Sequence, residues 1–550
     1  MKHWFASLSK RPEVPAIRLV ALISAWFLLF LNCSFWRFVW ERTEIAHFSD
    51  VLFLLSVPLV IFTILYLAVS LLLVPYIGKP ILIILLIISG GTNYLMYEFG
   101  VFIDVDMIRN TFQTHPGEVK DLISLRGVLW LMLGGILPAM LLAWVKIRFR
   151  PFVKEATGRL ARCGILLLCL LLLAPFVYKG YSSFCRNNRQ FRRLINPQNY
   201  LYATFRYFQQ EAQGQRKFTK LDDNAHLTPE AANSKKVFVL VLGETARAMN
   251  FATNGYERDT NPKLKQQDIV NFKNVLAAGT STAVSVPSIF SFKPAKNFDA
   301  SDAKYTENLL DLLQQTGYQV LWKENDNGCK GVCNRVPTIE MDLQDERFCN
   351  GSYCQDEILL QDLEKYIRQS DGSVFIVLHT IGSHGPTYYL RYPPEFKRFT
   401  PTCDTKEIQT CTQEQIRNTY DNTILYTDYI AASVIEILKK FPQYETGMMY
   451  VSDHGESLGE KGLYLHGLPY FIAPHEQTDV PMIIWLNNAM QKADHINYAC
   501  LKKKAAEDAF SHDYIAHSLL SLMGVESVVY DKTFDFFDGC RTAPISGKRQ

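Results

Sequence analysis

The sequence predicts an α-helical membrane domain of five transmembrane helices, followed by an α/β domain with a mostly parallel central sheet. Two observations support this division. The first 180 residues are strongly apolar, whereas the rest has the composition of a water-soluble protein. In that second part, apolar runs rich in β-branched residues alternate with helix-like stretches, as strands and helices alternate in α/β domains. The total of 550 residues is too long for a single domain.

Five apolar runs are long enough to cross a bilayer, which requires about 20 residues each. We predict transmembrane helices near Ile17–Val39, Val51–Pro75, Pro80–Phe102, Val128–Ile147 and Leu160–Val177. Lys and Arg cluster before the first run and between the fourth and fifth, and such loops face the cytoplasm. The N-terminus is therefore expected in the cytoplasm, and the chain after the fifth helix on the opposite side.

These features predict three consecutive domains. Residues 1–180 form the membrane domain, with an outer loop near 103–127. Residues 181–235 form a basic and aromatic bridge that ends in a polar linker, and residues 236–550 form the α/β domain.

The cysteines agree with this topology. Eight of the 12 cysteines lie at or after Cys329, mostly in polar sequence. Three close pairs suit short disulfide loops in an oxidising compartment, namely Cys329/Cys333, Cys349/Cys354 and Cys403/Cys411. A zinc knuckle is the alternative, but it would need paired Cys-x-x-Cys units or interleaved histidines, and neither occurs.

The bridge differs in charge from the whole chain, which is nearly balanced at 57 basic and 54 acidic residues. Between Ser182 and Lys220 there are eight basic residues and only one acidic residue, with aromatic residues interleaved. This composition favours a segment that lies on an anionic membrane surface. Nucleic acid would select a similar composition, but it is not an expected partner outside the cytoplasm.

Carboxylate and imidazole side chains stand at the ends of the predicted strands or in the loops that follow. In chain order they are Glu244, His379, His384, Asp453, His454 and His466. The chemistry of a mostly parallel sheet is located at the carboxyl ends of its strands. Oxygen and nitrogen ligands of this kind suit Zn²⁺. The sequence therefore predicts a metal site at this edge of the sheet.

A hydroxyl-rich segment, Ala278–Ser288, lies between the first of these strands and the others. Its hydroxyls could simply cap a helix. Alternatively, one of them could bind the metal, which would lower its pKa and make it a nucleophile at neutral pH. A helix start beside it would also favour a phosphate. Spacing alone leaves four candidates, Thr280, Ser281, Thr282 and Ser285.

The outer loop carries Asn110, Thr114 and Glu118 at intervals of four residues, so that on a helix they would share one face. Such a polar stripe could hold a cationic lipid headgroup, with Glu118 as the counter-charge. A solvated loop face explains the spacing equally well, and Pro116 and Gly117 could interrupt the helix.

Several longer motifs carry a family resemblance. They are Gly243-Glu244-Thr245-Ala246-Arg247, Asn254-Gly255-Tyr256-Glu257-Arg258, Gly279-Thr280-Ser281-Thr282-Ala283-Val284-Ser285-Val286-Pro287, His384-Gly385-Pro386 and Ser452-Asp453-His454-Gly455-Glu456-Ser457-Leu458-Gly459. With these motifs the chain resembles the lipid A phosphoethanolamine transferases, which belong to the alkaline phosphatase/sulfatase superfamily and include the mobile colistin-resistance enzymes. The resemblance covers nearly the whole chain.

The resemblance implies a role for each matching residue. Thr282 would be the nucleophile, and Glu244, Thr282, Asp453 and His454 would hold one tightly bound Zn²⁺. His384 and His466 would contact the transferred phosphate or a second metal that binds during turnover, and Lys330 would lie near that phosphate. Asn110, Thr114 and Glu118 would help to bind the donor lipid. The three close cysteine pairs match disulfides of the family, and Cys500 with Cys540 would form a fourth.

One departure from the family pattern concerns the nucleophile segment. Family members usually carry Cys on both sides of it, where this chain has Ala278 and Ser288. The corresponding disulfide is therefore absent, and such a bridge typically contributes about 2–4 kcal/mol. No metal ligand is lost, so the expected activity is unchanged.

The resemblance implies an enzyme of the bacterial inner membrane, with a periplasmic catalytic domain and a monomeric state. It would move phosphoethanolamine from phosphatidylethanolamine to a lipid A phosphate and confer polymyxin resistance. The closest alternative keeps the chemistry but changes the acceptor to a core sugar, a glucan or a protein. A sulfatase is disfavoured because no Cys-x-Pro-x-Arg sequence surrounds Thr282. A non-catalytic membrane sensor is disfavoured because the ligand set is intact.

Overall fold

The computed structural model of this chain describes residues 11–43, 45, 47–114, 116–212, 217–350 and 353–542, without the side chains of residues 116–118, 183 and 189. The chain divides into two compact units. Unit 1 contains residues 1–108 and 123–206, and unit 2 contains residues 109–122 and 207–550. The short segment 109–122 therefore belongs to unit 2, although it lies in the chain between two parts of unit 1.

Unit 1 is built mainly from long apolar helices. The helices up to residue 212 are, in chain order, α1 (Ala16–Phe30), α2 (Cys33–Glu41), α3 (Phe48–Leu72), α4 (Gly78–Phe99), α5 (Val105–Gln113), α6 (Pro116–Leu122), α7 (Leu125–Trp144), α8 (Phe152–Asn187) and α9 (Gln198–Ala212). Of these, α6 belongs to unit 2, and α5 and α9 each run from unit 1 into unit 2. Within the described residues, α3, α4, α7 and α8 are each long and apolar enough to cross a membrane. Helices α1 and α2 meet at 53° and would add a fifth span if they act as one broken helix. This unit is thus a membrane domain.

Two glycines allow α4 and α7 to approach closely. A Cβ built on Gly90 would lie 2.9 Å from the backbone nitrogen of Gly135, which is closer than real Cβ contacts. Close approach of this kind is a common basis for helix association in lipid, where no hydrophobic driving force acts between helices. The same part of α7, Leu131–Ile136, is wound as a π-helix.

Unit 2 is organised around a seven-stranded sheet. Its strands are β1 (Lys236–Gly243), β2 (Val270–Phe272), β3 (Gln319–Glu324), β4 (Thr338–Glu340), β5 (Val374–His379), β6 (Glu445–Ser452) and β7 (Met482–Leu486). Their spatial order is β2–β7–β6–β1–β5–β3–β4. The pairs β6/β1, β1/β5, β5/β3 and β3/β4 are parallel, whereas β7 runs antiparallel to β6 and β2 antiparallel to β7.

The central strand β1 is buried on both faces, which explains its continuous apolar sequence. Because side chains alternate along a strand, Phe238, Leu240 and Leu242 enter one core and Val237, Val239 and Val241 enter the other. The first core is covered by α10 (Thr282–Ile289), α11 (Leu309–Gln315), α14 (Tyr498–Glu507) and α15 (Asp513–Leu522). The second is covered by α12 (Leu363–Gln369) and α13 (Gln413–Leu438).

The structure confirms the predicted disulfides. Bridges join Cys329 to Cys333, Cys349 to Cys354, Cys403 to Cys411 and Cys500 to Cys540. All four lie in unit 2, which agrees with an oxidising compartment for this part of the chain. The other cysteines, Cys33, Cys163, Cys169 and Cys185, are free thiols.

Candidate metal centre and nucleophile

The register of two central strands places Glu244 beside Asp453. Strands β1 and β6 are parallel, and Gly243 lies opposite Ser452 at their carboxyl ends. The chains after these strands remain together, because the amide of Asp453 donates to the carbonyl of Gly243 at 2.9 Å. Glu244 and Asp453 therefore leave the sheet side by side, and both are fully buried.

The side-chain atoms at this point have the spacing of ligands around a small cation. His454 Nε2 lies 3.4 Å from Glu244 Oε1 and 3.4 Å from Asp453 Oδ2. Thr282 Oγ1 is also 3.4 Å from His454 Nε2. Ligands about 2.0–2.1 Å from a tetrahedral ion are separated from one another by about 3.4 Å, so these distances fit one shared ion.

Two further observations support a cation. Glu244 Oε1 and Asp453 Oδ2 are buried, and neither accepts a hydrogen bond from an N–H or hydroxyl donor in the described part of the chain. A buried carboxylate oxygen without a partner is costly unless a cation compensates it. Burial and the nearby charge of Asp453 raise the pKa of Glu244 well above its usual range. The residues present therefore fit a divalent cation.

His454 has the protonation state that a metal ligand needs. Burial lowers its pKa to about 4, so the ring is neutral at pH 7. Its Nδ1 lies 2.9 Å from the carbonyl oxygen of Gly455, which can only accept a hydrogen bond. The proton is therefore on Nδ1, and the lone pair of Nε2 points toward Glu244, Asp453 and Thr282.

Of the four hydroxyls that spacing left open, the structure brings Thr282 to this centre. Thr282 is the first residue of α10, and its Oγ1 donates to Glu244 Oε2 at 3.1 Å. Thr280 Oγ1 instead donates to the carbonyl of Leu468 at 2.6 Å. Ser281 occupies the N-cap position of α10 without a side-chain capping bond, so capping does not account for this segment.

The backbone around Glu244 is strained and tightly packed. Thr245 has a φ of 53°, which is unusual for a β-branched residue and typical of functional sites. Its amide donates to Asp453 Oδ1, and its carbonyl accepts from Tyr420. Gly382 lies against the Glu244 backbone, where a Cβ would be 2.7 Å from the Glu244 carbonyl oxygen. This contact requires glycine and brings the loop with His384 to the site.

His466 and His384 lie around the same centre. The His466 ring is 4.4 Å from the His454 ring and 5.7 Å from the His384 ring, measured between centroids. His466 Nδ1 is 2.8 Å from Glu456 Oε2, and Glu456 Oε1 accepts from Tyr388 at 2.6 Å. Because Glu456 fixes Nδ1 as a donor, His466 can present Nε2 to the site. Glu244, His454 and His466 are indeed close enough to share a metal ion.

The next predicted residue is Lys330. Lys330 is within the Cys329–Cys333 loop with a φ of 52°, and its Nζ donates to the carbonyl of Asn327 at 2.7 Å. Burial raises the pKa of Asp326, and electrostatic interactions with His379, His384 and Lys330 lower it. Lys330 is therefore near enough to Asp326 for its charge to act on that carboxyl.

The predicted polar stripe of the outer loop does not lie on one continuous helix. Helix α5 ends at Gln113 and α6 begins at Pro116, as the proline predicted. Thr114 Oγ1 donates to the Asn110 carbonyl at 2.7 Å. The side chain of Glu118 lies outside the described residues. The roles of Asn110, Thr114 and Glu118 stay predictions.

Sequence reasoning missed a histidine that holds the nucleophile segment. The fully buried His512 accepts from the Ala278 amide through Nδ1 at 3.2 Å, and its Nε2 lies 3.0 Å from the Ser452 carbonyl. It therefore links the segment to the end of β6 although Ala278 and Ser288 cannot form a disulfide. No local pattern marks His512, because its partners are distant in sequence.

Two family profiles match this chain. The profile described as Sulfatase matches residues 236–525, and the profile described as phosphoethanolamine transferase EptA/EptB matches residues 61–212. The first covers more than half of the chain and most of unit 2. The second covers most of the apolar part and the bridge.

Individual proteins are similar over nearly the full length. The phosphoethanolamine transferase EptA of Escherichia coli K12 is 40% identical over 97% of this chain and 98% of its own. The phosphatidylethanolamine transferase Mcr-1 of Escherichia coli is 34% identical over 97% and 99%. The solved structure of the integral membrane protein lipooligosaccharide phosphoethanolamine transferase A from Neisseria meningitidis is 38% identical, with a TM-score of 0.93 over 96% of this chain and 99% of that one. The chain therefore belongs to the phosphoethanolamine transferase family, and it combines a membrane domain with an alkaline phosphatase-like domain.

Proposed function

We propose that this protein transfers phosphoethanolamine from phosphatidylethanolamine to a phosphate of lipid A through a covalent phosphoethanolamine–Thr282 intermediate. The observation that carries the proposal is the convergence of Thr282 Oγ1, Glu244 Oε1, Asp453 Oδ2 and His454 Nε2 at ligand spacing, with both carboxylate oxygens unpaired within the described residues. A hydroxyl held in such a group is placed as a nucleophile and not as a helix cap.

The first step forms a bond between Thr282 Oγ1 and the phosphorus of phosphatidylethanolamine. The bond between that phosphorus and the diacylglycerol oxygen breaks, and diacylglycerol leaves. The Thr282 proton is directed at Glu244 Oε2, the carboxylate oxygen that lies on the threonine side. His384 or His466 would protonate the departing oxygen.

In the second step, an oxygen of the lipid A phosphate attacks the same phosphorus. The bond to Thr282 breaks, and the proton that Glu244 Oε2 received in the first step returns to Thr282 Oγ1, so that the threonine hydroxyl is restored. His384, His466 and Lys330 would offset the charge that develops on the phosphoryl oxygens. One tightly bound divalent cation, which we propose to be Zn²⁺ held by Glu244, Thr282, Asp453 and His454, would lower the pKa of the Thr282 hydroxyl and stabilise this charge.

Each domain has its own proposed role. We assign residues 1–180, with five spans and a cytoplasmic N-terminus, to anchoring in the bacterial inner membrane. Residues 236–550 would carry out catalysis in the periplasm, and the protein would act as a monomer. Residues 181–235 would lie on the membrane surface. Helix α9 supports this assignment, since Tyr202, Phe205 and Phe208 are exposed on it. Asn110, Thr114 and Glu118 would contact the headgroup of the donor.

The reaction would protect the cell against cationic antimicrobial compounds. Each transferred group places an ammonium beside a lipid A phosphate and lowers the negative charge of the surface. Cationic peptides such as polymyxin are attracted by that charge. Resistance to colistin would therefore accompany activity.

Mass spectrometry of lipid A from cells that express the chain tests the proposal. We expect lipid A to gain the mass of a phosphoethanolamine group with the intact protein and no gain with the Thr282→Ala variant. Phosphoethanolamine found only on a core sugar, a glucan or a protein would refute the acceptor. The absence of any modified molecule, at normal expression, would favour a non-catalytic sensor.

A further inference from the structure

A second group of buried ligand atoms lies on the strands next to β1. Strands β5 and β3 are parallel, and His379 lies opposite Glu324 at their carboxyl ends. On the other side of β5, His379 lies opposite Leu242 of β1. Leu242 precedes Glu244 by two residues. Asp326 lies two residues after Glu324, the last residue of β3. Glu324, Asp326, His379 and Glu244 are therefore brought to the same edge of the sheet.

Glu324 fixes the orientation of the His379 ring. Its Oε2 lies 2.9 Å from His379 Nδ1 and accepts from Trp322 Nε1 at 2.8 Å, and its Oε1 accepts from the Asp326 amide at 2.7 Å. Both carboxylate oxygens are thus satisfied. A carboxylate that holds the Nδ1–H of a histidine and leaves Nε2 free is the usual support of a metal-binding imidazole.

The atoms on the other side of this ring have no such partners. His379 Nε2 and Asp326 Oδ2 are buried and form no hydrogen bond in the described ranges of the chain. They lie 3.7 Å apart, and the side chains of both residues are 0% exposed. Glu244, Asp326 and His379 each offer one ligand atom within 4.8 Å of the others.

The buried carboxylates of the region also favour a further cation. The side chains of Glu244, Glu324, Asp326 and Asp453 are all buried, each with 7% exposure or less. One divalent cation offsets two carboxylates, and buried carboxylates that remain uncompensated are strongly destabilising. His379 and His454 are two of the imidazoles beside this group, and His466 also lies near Glu244.

We propose that His379 Nε2, the Asp326 carboxylate and Glu244 bind a second divalent transition-metal cation, with Glu244 shared between the two ions. Mixed oxygen and nitrogen ligands suit such a cation. The inference rests on the proposed function, because Glu244 also belongs to the first metal site. The alternative is an imidazolium at His379 that pairs with Asp326 without a metal.

Metal content per chain tests the second site. The full-length protein is saturated with zinc, and the excess zinc is removed by gel filtration. The zinc content per chain is then measured by elemental mass spectrometry. We expect two zinc ions per chain for the wild type and one for Asp326→Asn and His379→Gln. Asp356→Asn is the matched control, because this buried carboxylate neighbours the group but is satisfied by Asn325 and by the Ile381 and Gly382 amides. It should retain both ions.

Equal zinc content in the wild type, Asp326→Asn and His379→Gln would overturn the proposal, and so would a second ion lost only in a His384→Ala/His466→Ala variant. If the variants do not fold, anomalous diffraction at the zinc edge from the wild type decides, since a peak must lie beside His379 Nε2. A single ion bound by Glu244, Asp453 and His454 would refute the second site but leave the proposed function intact.

A separate observation concerns Asp121, which lies in the segment 109–122. Its Oδ2 accepts from Thr387 Oγ1 at 2.8 Å, from Arg391 Nη2 at 3.3 Å and from the hydroxyl of Tyr353. The next residue back, Lys120, accepts at its carbonyl from Lys406 Nζ. The segment that carries Asn110 and Thr114 is thus attached to the domain that carries the metal centre, within unit 2.

The attachment continues to His384 through Arg391. The Arg391 guanidinium is 0% exposed, lies 4.0 Å over the Tyr353 ring and donates through Nε to the His384 carbonyl at 2.8 Å. Removing its carboxylate partner would leave a buried charge without compensation. Arg391 thus connects Asp121 to the backbone of the loop that carries His384.

We infer that Asp121 is a positioning residue, which couples the segment 109–122, with Asn110 and Thr114, to His384. The inference rests on the proposed function. In the full-length enzyme with a fluorescent phosphatidylethanolamine, Asp121→Ala should lower kcat at least about tenfold with KM and zinc content unchanged, as expected when a transition-state contact is displaced. Asp121→Asn, which keeps an acceptor, should recover part of kcat.

Lys406→Ala serves as the matched control, because it removes a contact to the same segment without touching Arg391, and it should keep kcat. If Asp121→Ala does not fold, Tyr353→Phe takes its place. It removes one donor to Asp121 and should lower kcat by an intermediate amount. A kcat of Asp121→Ala within twofold of the wild type would overturn this role. An inactive wild type would instead refute the proposed function.

Discussion

Thr282→Ala is expected to lower release of diacylglycerol from phosphatidylethanolamine by at least about 10³-fold, which is typical for loss of a nucleophile. The reason is that no other hydroxyl in the described residues combines contacts to Glu244 and His454. Thr282→Ser is the matched control, since it keeps the hydroxyl and should retain part of the activity. Turnover of a fluorescent donor measures both variants.

The same experiment can locate the covalent intermediate. Without an acceptor, the wild type should release one diacylglycerol per chain, and the peptide that contains Thr282 should gain a phosphoethanolamine group. Modification of Ser285 or of another hydroxyl would contradict the assignment. So would a Thr282→Ala variant that turns over at the rate of the wild type.

The second large effect is expected from metal removal. Chelation should lower the free energy of unfolding of the wild type by about 4 kcal/mol, if the free metal had been 1,000-fold above its Kd. The physical reason is that Glu244 Oε1 and Asp453 Oδ2 are buried side by side and have no other compensation in the described structure. Thermal unfolding with and without chelator measures the change.

Asp453→Asn separates this effect from a general loss of stability. The variant should bind no metal between Glu244 and His454, so chelation should lower its free energy of unfolding by less than that of the wild type, with only the cation proposed at His379 left to remove. Asp535→Asn is the control, because Asp535 is equally buried but is held by Tyr530 and the Phe537 amide. It should be destabilised yet remain sensitive to chelation. A chelator response in Asp453→Asn equal to that of the wild type would refute the metal centre.

Local sequence patterns were enough for the general architecture. Hydropathy separates the membrane part from the α/β part, since lipid and water select different side chains over whole segments. Strand ends are also local features, so Glu244, Asp453 and His454 could be found from the apolar runs before them. The same rule applied to the run Gln319–Trp322 would have led to Asp326, which was overlooked.

Other features depend on contacts between distant parts of the chain. Spacing left four candidate hydroxyls, and only the packing of α10 against β1 and β6 places Thr282 beside the carboxylates. His512 and Ala278 are 234 positions apart, and Asp121 and Thr387 are 266 apart. No periodicity or local propensity connects such pairs, because their meeting is the outcome of the whole fold.

By itself, then, the sequence determined that this is a membrane-anchored α/β protein with metal-ligand side chains at its strand ends and short disulfide loops. These properties follow from interactions with solvent, lipid and near neighbours in the chain. The tertiary structure alone decided which hydroxyl lies beside Glu244 and His454, and which buried atoms of the described residues have no hydrogen-bond partner. It also decided how the segment 109–122 reaches Arg391. These properties follow from strand register and core packing, which bring distant residues within a few ångströms.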